Sequence, residues 1–397
     1  MALESAPPVR STPVELSVVM PCLNEAETLG ACIEEAQRAM EAHGIAGEIV
    51  VADNGSTDGS QAIASTLGAR VETVSTRGYG AALMGGFASA RGTYVIMGDA
   101  DCSYDFGDIP RILEQLRSGY DFVQGCRLES GGGRVMPGAM PFLHRWWGNP
   151  MFSRMARVWF HAPIHDIHCG IRGFRLAAWS QLDQRCTGME FASEMIIKAS
   201  LKQMKITEVP VVLRRDGRAP GRRPHLRTFR DGWRHLRFFL MFSPRQLFLL
   251  PGFLLMLLGA LGYAVAFPAM TIGRLTFDVH TLLFSSLSII SGYQAIVFAA
   301  LTKAFAMNEG LLPVDDRVRT LFAKIPLERG LAAGGVSLVI GAALLLGAVF
   351  QWRAVDFGNL DVRHTMRWAI PGMMFAVLGL QTVFSSFFLS ILGMSRR

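Results

Sequence analysis

The chain has 397 residues, of which 50% are hydrophobic and 18% charged, with a formal net charge of +7. This length allows two or three domains, and the apolar residues are placed so unevenly that roughly the first 240 residues read as a soluble α/β protein and the rest as membrane-like. The positive charge gathers in one arginine-rich segment, which describes a local surface and excludes a generally basic, nucleic-acid-binding protein.

The six cysteines, Cys22, Cys32, Cys102, Cys126, Cys169 and Cys186, form no CxxC pair. Reduced thiols and a cytoplasmic catalytic part are expected. Met1 to Pro13 is rich in Pro, Ser and Ala without an apolar run, so residues 1–14 are expected to be a disordered tail and not a signal peptide.

Leu16 to Met20 predicts a first strand, stopped by Pro21. A helix follows Pro21-Cys-Leu-Asn-Glu25, with Leu29, Ile33, Ala36 and Met40 recurring at helical spacing. Glu48 to Asp53 predicts a second strand ending in an acid, and Asn54 to Gly59 a turn whose Thr57 or Asp58 can cap the next helix. Arg70 to Val74 is a third strand. Arg77-Gly-Tyr-Gly80 then opens a helix through Ala90. Thr93 to Met97 is a fourth strand, and Gly98-Asp99-Ala100-Asp101 stands at its end. Strands alternating with helices predict a parallel, doubly wound sheet, in which ligands sit at the carboxyl ends of the strands. Two carboxylates there give hard oxygen ligands suited to Mg²⁺ or Mn²⁺ beside phosphate. No GxGxxG fingerprint follows the first strand, so a dinucleotide dehydrogenase is not expected.

These three motifs, in this order and spacing, resemble family 2 glycosyltransferases of GT-A fold, and within them the polyprenyl-phosphate (dolichol-phosphate-type) mannosyl and glucosyl transferases. The resemblance covers roughly residues 15–245. It implies that Pro21, Leu23 and Glu25 lie by the nucleoside and that Asp53 hydrogen-bonds the base. It implies further that Asp99 and Asp101 hold the metal on the donor pyrophosphate, around the intervening Ala100. The branch commonly carries a Gln two residues after the second Asp; Ser103 stands there and becomes the third candidate ligand. Leu23 stands where an aromatic is frequent.

Phe122 to Arg127 predicts a further strand that delivers Arg127 to the same edge, matching the family's phosphate-contacting arginine. Arg145 matches a second basic position. His161, His165 and His168 fit no established zinc spacing. The segment Asp166 to Phe174 resembles one beside the donor sugar, which places Asp166 on a sugar hydroxyl, with Arg172 pairing with it or supporting the loop. Glu194 matches a family acid near the active site. After a last strand, Val209 to Leu213, related enzymes carry a basic loop over the phosphates; Arg215, Arg218, Arg222 and Arg223 are candidates here. Asp101 and Arg127 are the residues to which catalysis is assigned.

The transferase domain is expected over residues 15–224. Leu226, Phe229, Trp233, Leu236 and Leu240 share a helical stripe beside Arg227, Arg230, Arg234 and Arg237, which predicts an interfacial helix over residues 225–244 facing anionic lipids. Four apolar segments follow in residues 245–397, at about 247–269, 281–303, 331–352 and 368–393, each near the ~20 residues that cross a bilayer. Basic connections (Lys303, Arg317, Arg319, Lys324, Arg329 and the Ser395–Arg397 end) put both termini and the enzyme domain in the cytoplasm of an inner-membrane protein. Leu311 to Ile325 is expected to be a second surface-lying helix. Gly330, Gly334, Gly335, Gly341, Ser385 and Ser386 favour close helix packing. Charge is nearly absent within the spans, so no ion pathway is expected.

The resemblance implies an inverting, metal-dependent transfer of a hexose from a nucleotide-diphosphate sugar (UDP-glucose or GDP-mannose) to polyprenyl phosphate. Three alternatives stand beside it: a processive polysaccharide synthase, an added lipid-linked-sugar flippase in the four spans, and a catalytically dead scaffold. A homo-oligomer is compatible with the sequence.

Overall fold

The computed structural model describes residues 13–218, 228–313, 315–316, 320 and 326–393. Residues 1–12 of the expected tail, Arg222, Arg223, Leu226, Arg227, most of the expected surface helix at 311–325 with its Arg317, Arg319 and Lys324, and Ser395 to Arg397 lie outside the described residues. The chain forms two compact units, Met1–Phe238 and Phe239–Arg397.

The first unit is built on β1 (Leu16–Cys22), β2 (Gly47–Asp53), β3 (Arg70–Thr73), β4 (Tyr94–Met97), β5 (Phe122–Cys126), β7 (Arg172–Arg175) and β8 (Ile206–Pro210), arranged in the order β3-β2-β1-β4-β7-β5-β8. All neighbours are parallel except β7, which runs against both β4 and β5. A short pair, β6 (Arg134–Val135) and β9 (Val212–Leu213), lies apart from it. The doubly wound, mostly parallel α/β sheet expected from the strand–helix alternation is therefore present.

Its central strands are buried on both faces, which is why they read as continuous apolar runs and not as alternations. Val18, Met20, Ile49 and Val51 belong to one core with Leu29, Ile33 and Ala36 of α1 (Leu29–Ala42). Val19 and Ala52 face the other way, against α3 (Tyr79–Ser89). On that face Phe87 meets Phe174 edge-on at 4.8 Å and Trp179 at 5.3 Å, the offset geometry that aromatic rings prefer.

Two expected boundaries move. Pro21 does not stop β1, which pairs with β2 through Cys22. The β4 ladder ends at Val19, whose carbonyl accepts from Gly98, and Pro21 faces that same, now unpaired, side. A missing N–H costs nothing there. The expected last strand, Val209 to Leu213, is two strands: after Pro210 the chain leaves β5 and joins β6.

In the second unit a π-turn (Arg245–Leu249) continues into α9 (Leu250–Ala266), followed by α10 (Val279–Asn308), α11 (Leu327–Ala354) and α12 (Val362–Gly393). The four apolar helices are 22, 30, 28 and 32 residues long, counting the π-turn with α9. Each exceeds the ~20 residues that cross a bilayer. Large residues such as Phe253, Leu257 and Leu261 point outward, as lipid-facing positions do. The small residues work as expected at three places: Gly330 faces Ser386, Gly334 the carbonyl of Gly379, and Gly341 that of Gly372, whereas Gly335 faces open space. Asp278 joins Arg367 at 2.9 Å and Arg363 at 3.4 Å, closing the N-terminal end of α12 onto the start of α10.

Gly86 lets α3 lie directly on the sheet, since a Cβ there would stand 2.5 Å from Val19 and 3.0 Å from Ala52. Gly86→Ala should lower the melting temperature of the detergent-solubilised protein. Overpacking costs of about 1–3 kcal/mol exceed the helix-propensity gain of roughly 1 kcal/mol. Gly335→Ala, with the same gain and no neighbour within 4 Å, should not lower it.

Candidate active site

The carboxyl ends of β1, β2, β4 and β5 point the same way and deliver Pro21 to Glu25, Asp53, Asp99 to Asp101, and Arg127 to one edge. Asp99 accepts the Tyr79 hydroxyl at 2.9 Å. Burial, and after it the charge of Asp101, pushes the Asp99 pKa up to about 6 against the pull of Tyr79, Arg218 and Arg127. Asp101 accepts from the backbone N–H of Ser103 at 3.0 Å and from its hydroxyl at 2.5 Å. Ser103 thus orients Asp101, with oxygen lone pairs left for a ligand. Ala100 is buried and its carbonyl accepts from Thr28 at 2.7 Å, which pins the turn between the acids.

Asp99, pushed toward neutrality by burial and by the adjacent Asp101, belongs to a donor set short of positive charge, and oxygen-only ligands suit Mg²⁺ or Mn²⁺. The pair therefore fits a divalent cation. Among the described residues no group of three or more His, Cys, Asp or Glu gathers. The remaining positions would fall to Ser103, water or phosphate oxygens.

Arg127 is buried at the end of β5 and grips Asp166 with both arms, Nε to Oδ2 at 2.7 Å and NH2 to Oδ1 at 2.9 Å; its backbone N–H adds a third bond at 3.0 Å. Burial acts against the Arg127 charge, but Asp166 and Tyr104 together outweigh it and the net pKa shift is upward. Asp166 is fully buried and both its oxygens are taken, so the sugar-contacting position expected for it is not where it stands. It holds Arg127 instead. Arg172 does not join the pair: it is enclosed in the core and donates to the carbonyls of Cys169 at 2.6 Å and Ala192 at 2.8 Å, supporting the loop.

That loop is held from the opposite side as well. Glu208 on β8 accepts the backbone N–H of His165 at 2.6 Å and of Asp166 at 3.0 Å, and meets the His165 ring at 2.8 Å. Gln124, its register partner on β5, donates to the carbonyls of Asp166 and Cys169. The Tyr104 hydroxyl accepts the N–H of Gly170 at 2.7 Å and contacts Arg127 at 3.4 Å. A Cβ on Gly170 would stand 2.4 Å from the Asp99 carboxylate, so only glycine lets the loop pass there. Tyr79, Tyr104 and Glu208 were not among the sequence candidates. Tyr79 lies in the Arg77-Gly-Tyr-Gly80 turn and Tyr104 follows Ser103, so their positions at strand ends were the available signal; nothing local marks Glu208.

The remaining candidates make the following contacts. Arg218, expected on the acceptor phosphate, binds Glu25 through Nε at 3.0 Å and Nη2 at 2.5 Å and stands 3.5 Å from Asp101. Arg145 pairs with Glu129 at 3.0 Å and lies over the Trp146 ring, outside the cleft. Asp53 is buried and taken up by its own turn, accepting from Gly55, Ser56 and Gln61. Pro21 and Leu23 are half-buried beside it. Glu194 is buried against Lys198 and the N–H groups of Arg185 and Cys186.

A cleft of about 830 Å³ joins these parts. Asp99, Asp101, Ser103, Arg127 and Arg215 contribute polar groups to its lining; apolar lining comes from Trp147, Met151, Phe152, Phe229, Trp233 and Leu236. The last three come from α8 (Thr228–Met241), the expected interfacial helix. Arg215 also donates to the Pro137 carbonyl at 2.6 Å. His168 and His235 also line it, 4.5 Å apart ring to ring. Burial pushes the His235 pKa down to about 4, and its ring meets the Ser193 hydroxyl at 2.9 Å.

Residues 17–182 match the glycosyl transferase family 2 domain, and residues 300–393 match the family's C-terminal transmembrane region. The low-salt glycan biosynthesis hexosyltransferase Agl6 of Haloferax volcanii is 40% identical over 381 residues, 95% of this chain and 89% of that one. A dolichyl-phosphate hexose transferase of the same organism is 30% identical over 50% of this chain and 83% of its own. Among solved structures, glucosyl-3-phosphoglycerate synthase from Mycobacterium tuberculosis, in complex with Mn²⁺, UDP and phosphoglyceric acid, aligns with a TM-score of 0.43 and 20% identity, over 52% of this chain and 72% of that one.

Removing one partner of a buried ion pair strands the other charge, at a cost of about 3–5 kcal/mol. Asp166→Ala and Arg127→Ala should each lower the melting temperature steeply, and the double variant should lose less than the sum of the two. Acid should expose His235 in the same assay. Its folded pKa is depressed, so between pH 6.5 and about 4 the unfolded chain takes up a proton that the folded site refuses. Stability should fall across that window by about 3 kcal/mol from this residue, and His235→Gln, whose amide can still meet Ser193, should flatten the fall.

Proposed function

The chain belongs to glycosyltransferase family 2 and, from that premise, we propose that it moves a hexose from a nucleotide-diphosphate sugar, UDP-glucose or GDP-mannose, to a polyprenyl phosphate with inversion at the sugar. It is a membrane hexosyltransferase related to polyprenyl-phosphate sugar transferases. The observation that supports the choice of acceptor is the mixed lining of the cleft: carboxylates and a buried guanidinium together with tryptophan, phenylalanine and methionine. A soluble acceptor needs no such apolar lining, whereas a phosphate on a long hydrocarbon needs both kinds.

The acceptor phosphate is anionic before it reacts, so it needs little help from a base. Rate comes from holding it in line with the sugar and from balancing charge. Arg127, fixed in place by Asp166, presents its outer N–H groups to the acceptor phosphate. Arg215 lines the same cleft. Glu25 and Asp53 lie toward the nucleoside, with Arg218 between Glu25 and Asp101 as a guanidinium for the diphosphate. Asp99 and Asp101, with Ser103 beside them, would hold Mg²⁺ or Mn²⁺, which supplies positive charge next to the departing nucleoside diphosphate. Basic residues at the connections on the enzyme's side, Lys303 and Arg329 among them, favour a cytoplasmic catalytic unit.

Purified enzyme in detergent with Mn²⁺ or Mg²⁺, radiolabelled UDP-glucose or GDP-mannose and a short polyprenyl phosphate should give one labelled, mild-acid-labile lipid. EDTA should abolish it, and Asp101→Ala should slow it by about 10²-fold or more. A growing polymer would establish a processive synthase instead. No lipid product with nucleotide binding intact would remove polyprenyl phosphate as the acceptor.

A further inference from the structure

The chain that leaves β9 is fastened onto the turn that carries the two aspartates. The N–H of Arg214 donates to the Ser103 carbonyl and the N–H of Gly217 to the Asp101 carbonyl, each at 2.8 Å. The Arg214 guanidinium holds Glu35 at 2.9 Å and also pairs with Asp105. Gly217 lies so close to the turn that a Cβ on it would stand 3.2 Å from Thr28 and 3.3 Å from Cys102. These anchors deliver the next side chain, Arg218, to the carboxylates.

The oxygens there are already divided among partners. Oδ1 of Asp101 accepts from the N–H of Ser103 at 3.0 Å and from its hydroxyl at 2.5 Å. Oδ1 of Asp99 accepts the Tyr79 hydroxyl, and Oδ2 of Asp99 faces the backbone of Gly170. Arg218 takes both oxygens of Glu25, stands 3.8 Å from Asp216, and lies 3.5 Å from Oδ2 of Asp101. The one oxygen of Asp101 that Ser103 leaves is thus the one that a guanidinium faces. The side chains of Arg218 and Asp101 are each 15% exposed and that of Glu25 5%, so water screens these charges poorly.

A divalent cation held by the two aspartates would draw on that same oxygen. Its charge would then stand beside a guanidinium, and like charges so close and so little screened repel. The two exclude one another at Asp101 unless an anion takes the guanidinium. A nucleoside diphosphate has the chemistry to do so, because its phosphate oxygens bind a cation on one side and accept a forked guanidinium on another.

We infer that Arg218 is a built-in competitor of the cation at Asp101, so that the site takes up cation and diphosphate together and either one alone poorly. The inference rests on the reading that Asp99 and Asp101 hold Mg²⁺ or Mn²⁺ beside the donor diphosphate. Coupling of this kind is reciprocal: the factor that the diphosphate adds to cation affinity is the factor that the cation adds to diphosphate affinity. Removing the guanidinium charge shrinks that factor from both sides. The cation gains when alone, and the diphosphate loses a partner.

The test is Mn²⁺ binding to the full-length chain in an uncharged detergent, read from the electron paramagnetic resonance signal of free Mn²⁺. It is run alone and with UDP or GDP, corrected for Mn²⁺ held by nucleotide in solution, and Asp101→Asn sets the background. The unsubstituted chain should bind Mn²⁺ about tenfold or more tightly with one of the nucleotides than without. Arg218→Gln should bind Mn²⁺ alone several-fold more tightly than the unsubstituted chain and gain less from nucleotide. Arg218→Lys, which keeps the charge, should stay near the unsubstituted chain. Equal Mn²⁺ affinity with and without nucleotide in the unsubstituted chain would overturn the competitor and leave the metal reading standing. So would Arg218→Gln with unchanged or weaker affinity for Mn²⁺ alone, or Arg218→Lys matching Arg218→Gln. No binding above the Asp101→Asn background, with either nucleotide or without, would overturn the metal reading and the competitor with it.

Discussion

The buried pair of Arg127 and Asp166 is the constraint around which the active end of the first unit is arranged. The Arg127 guanidinium, sealed under the sheet edge, is matched by a carboxylate in bidentate contact. That carboxylate sits on a loop with no regular structure, so the loop itself must be fixed. Glu208 takes two of its N–H groups, Gln124 and Arg172 take its carbonyls, and Tyr104 takes the N–H of Gly170. The loop passes so close to Asp99 that this acid and Arg127 are positioned by one piece of chain.

The other half of the site is governed by excess negative charge. Asp99, Asp101 and Glu25 converge at neighbouring strand ends, and Arg218 is the guanidinium that balances two of them. The chain that carries it is tied down beside the acids, with the N–H of Arg214 on the Ser103 carbonyl and that of Gly217 on the Asp101 carbonyl, each at 2.8 Å. Of the basic residues after the last strands, Arg218 thus meets Glu25 and Asp101 while Arg215 lines the cleft, a division that a run of arginines does not announce.

Much of this was legible in the chain before any coordinates. Continuous apolar strands ending in acids predicted the parallel sheet and the edge where ligands gather, because burial on both faces and carboxyl-end placement leave a local trace. The four spans were legible for the same reason, as length and apolarity are local properties. Partnerships between distant residues were not. Asp166 read as a sugar ligand because its segment resembles one beside the donor sugar in the family; only the fold shows that, 39 residues along the chain, it pairs with Arg127. Arg145 read as a phosphate ligand, yet Glu129 and the Trp146 ring occupy it.

The single strand that runs against its neighbours has a consequence of its own. Because β7 lies between β4 and β5, the acids at the end of one and Arg127 at the end of the other are two strand spacings apart, about 9–10 Å. β7 is thus a spacer: it keeps the acids at the end of β4 and Arg127 at the end of β5 on separate partners, Arg218 for the one and Asp166 for the other. The cleft that both line spans the width of one intervening strand.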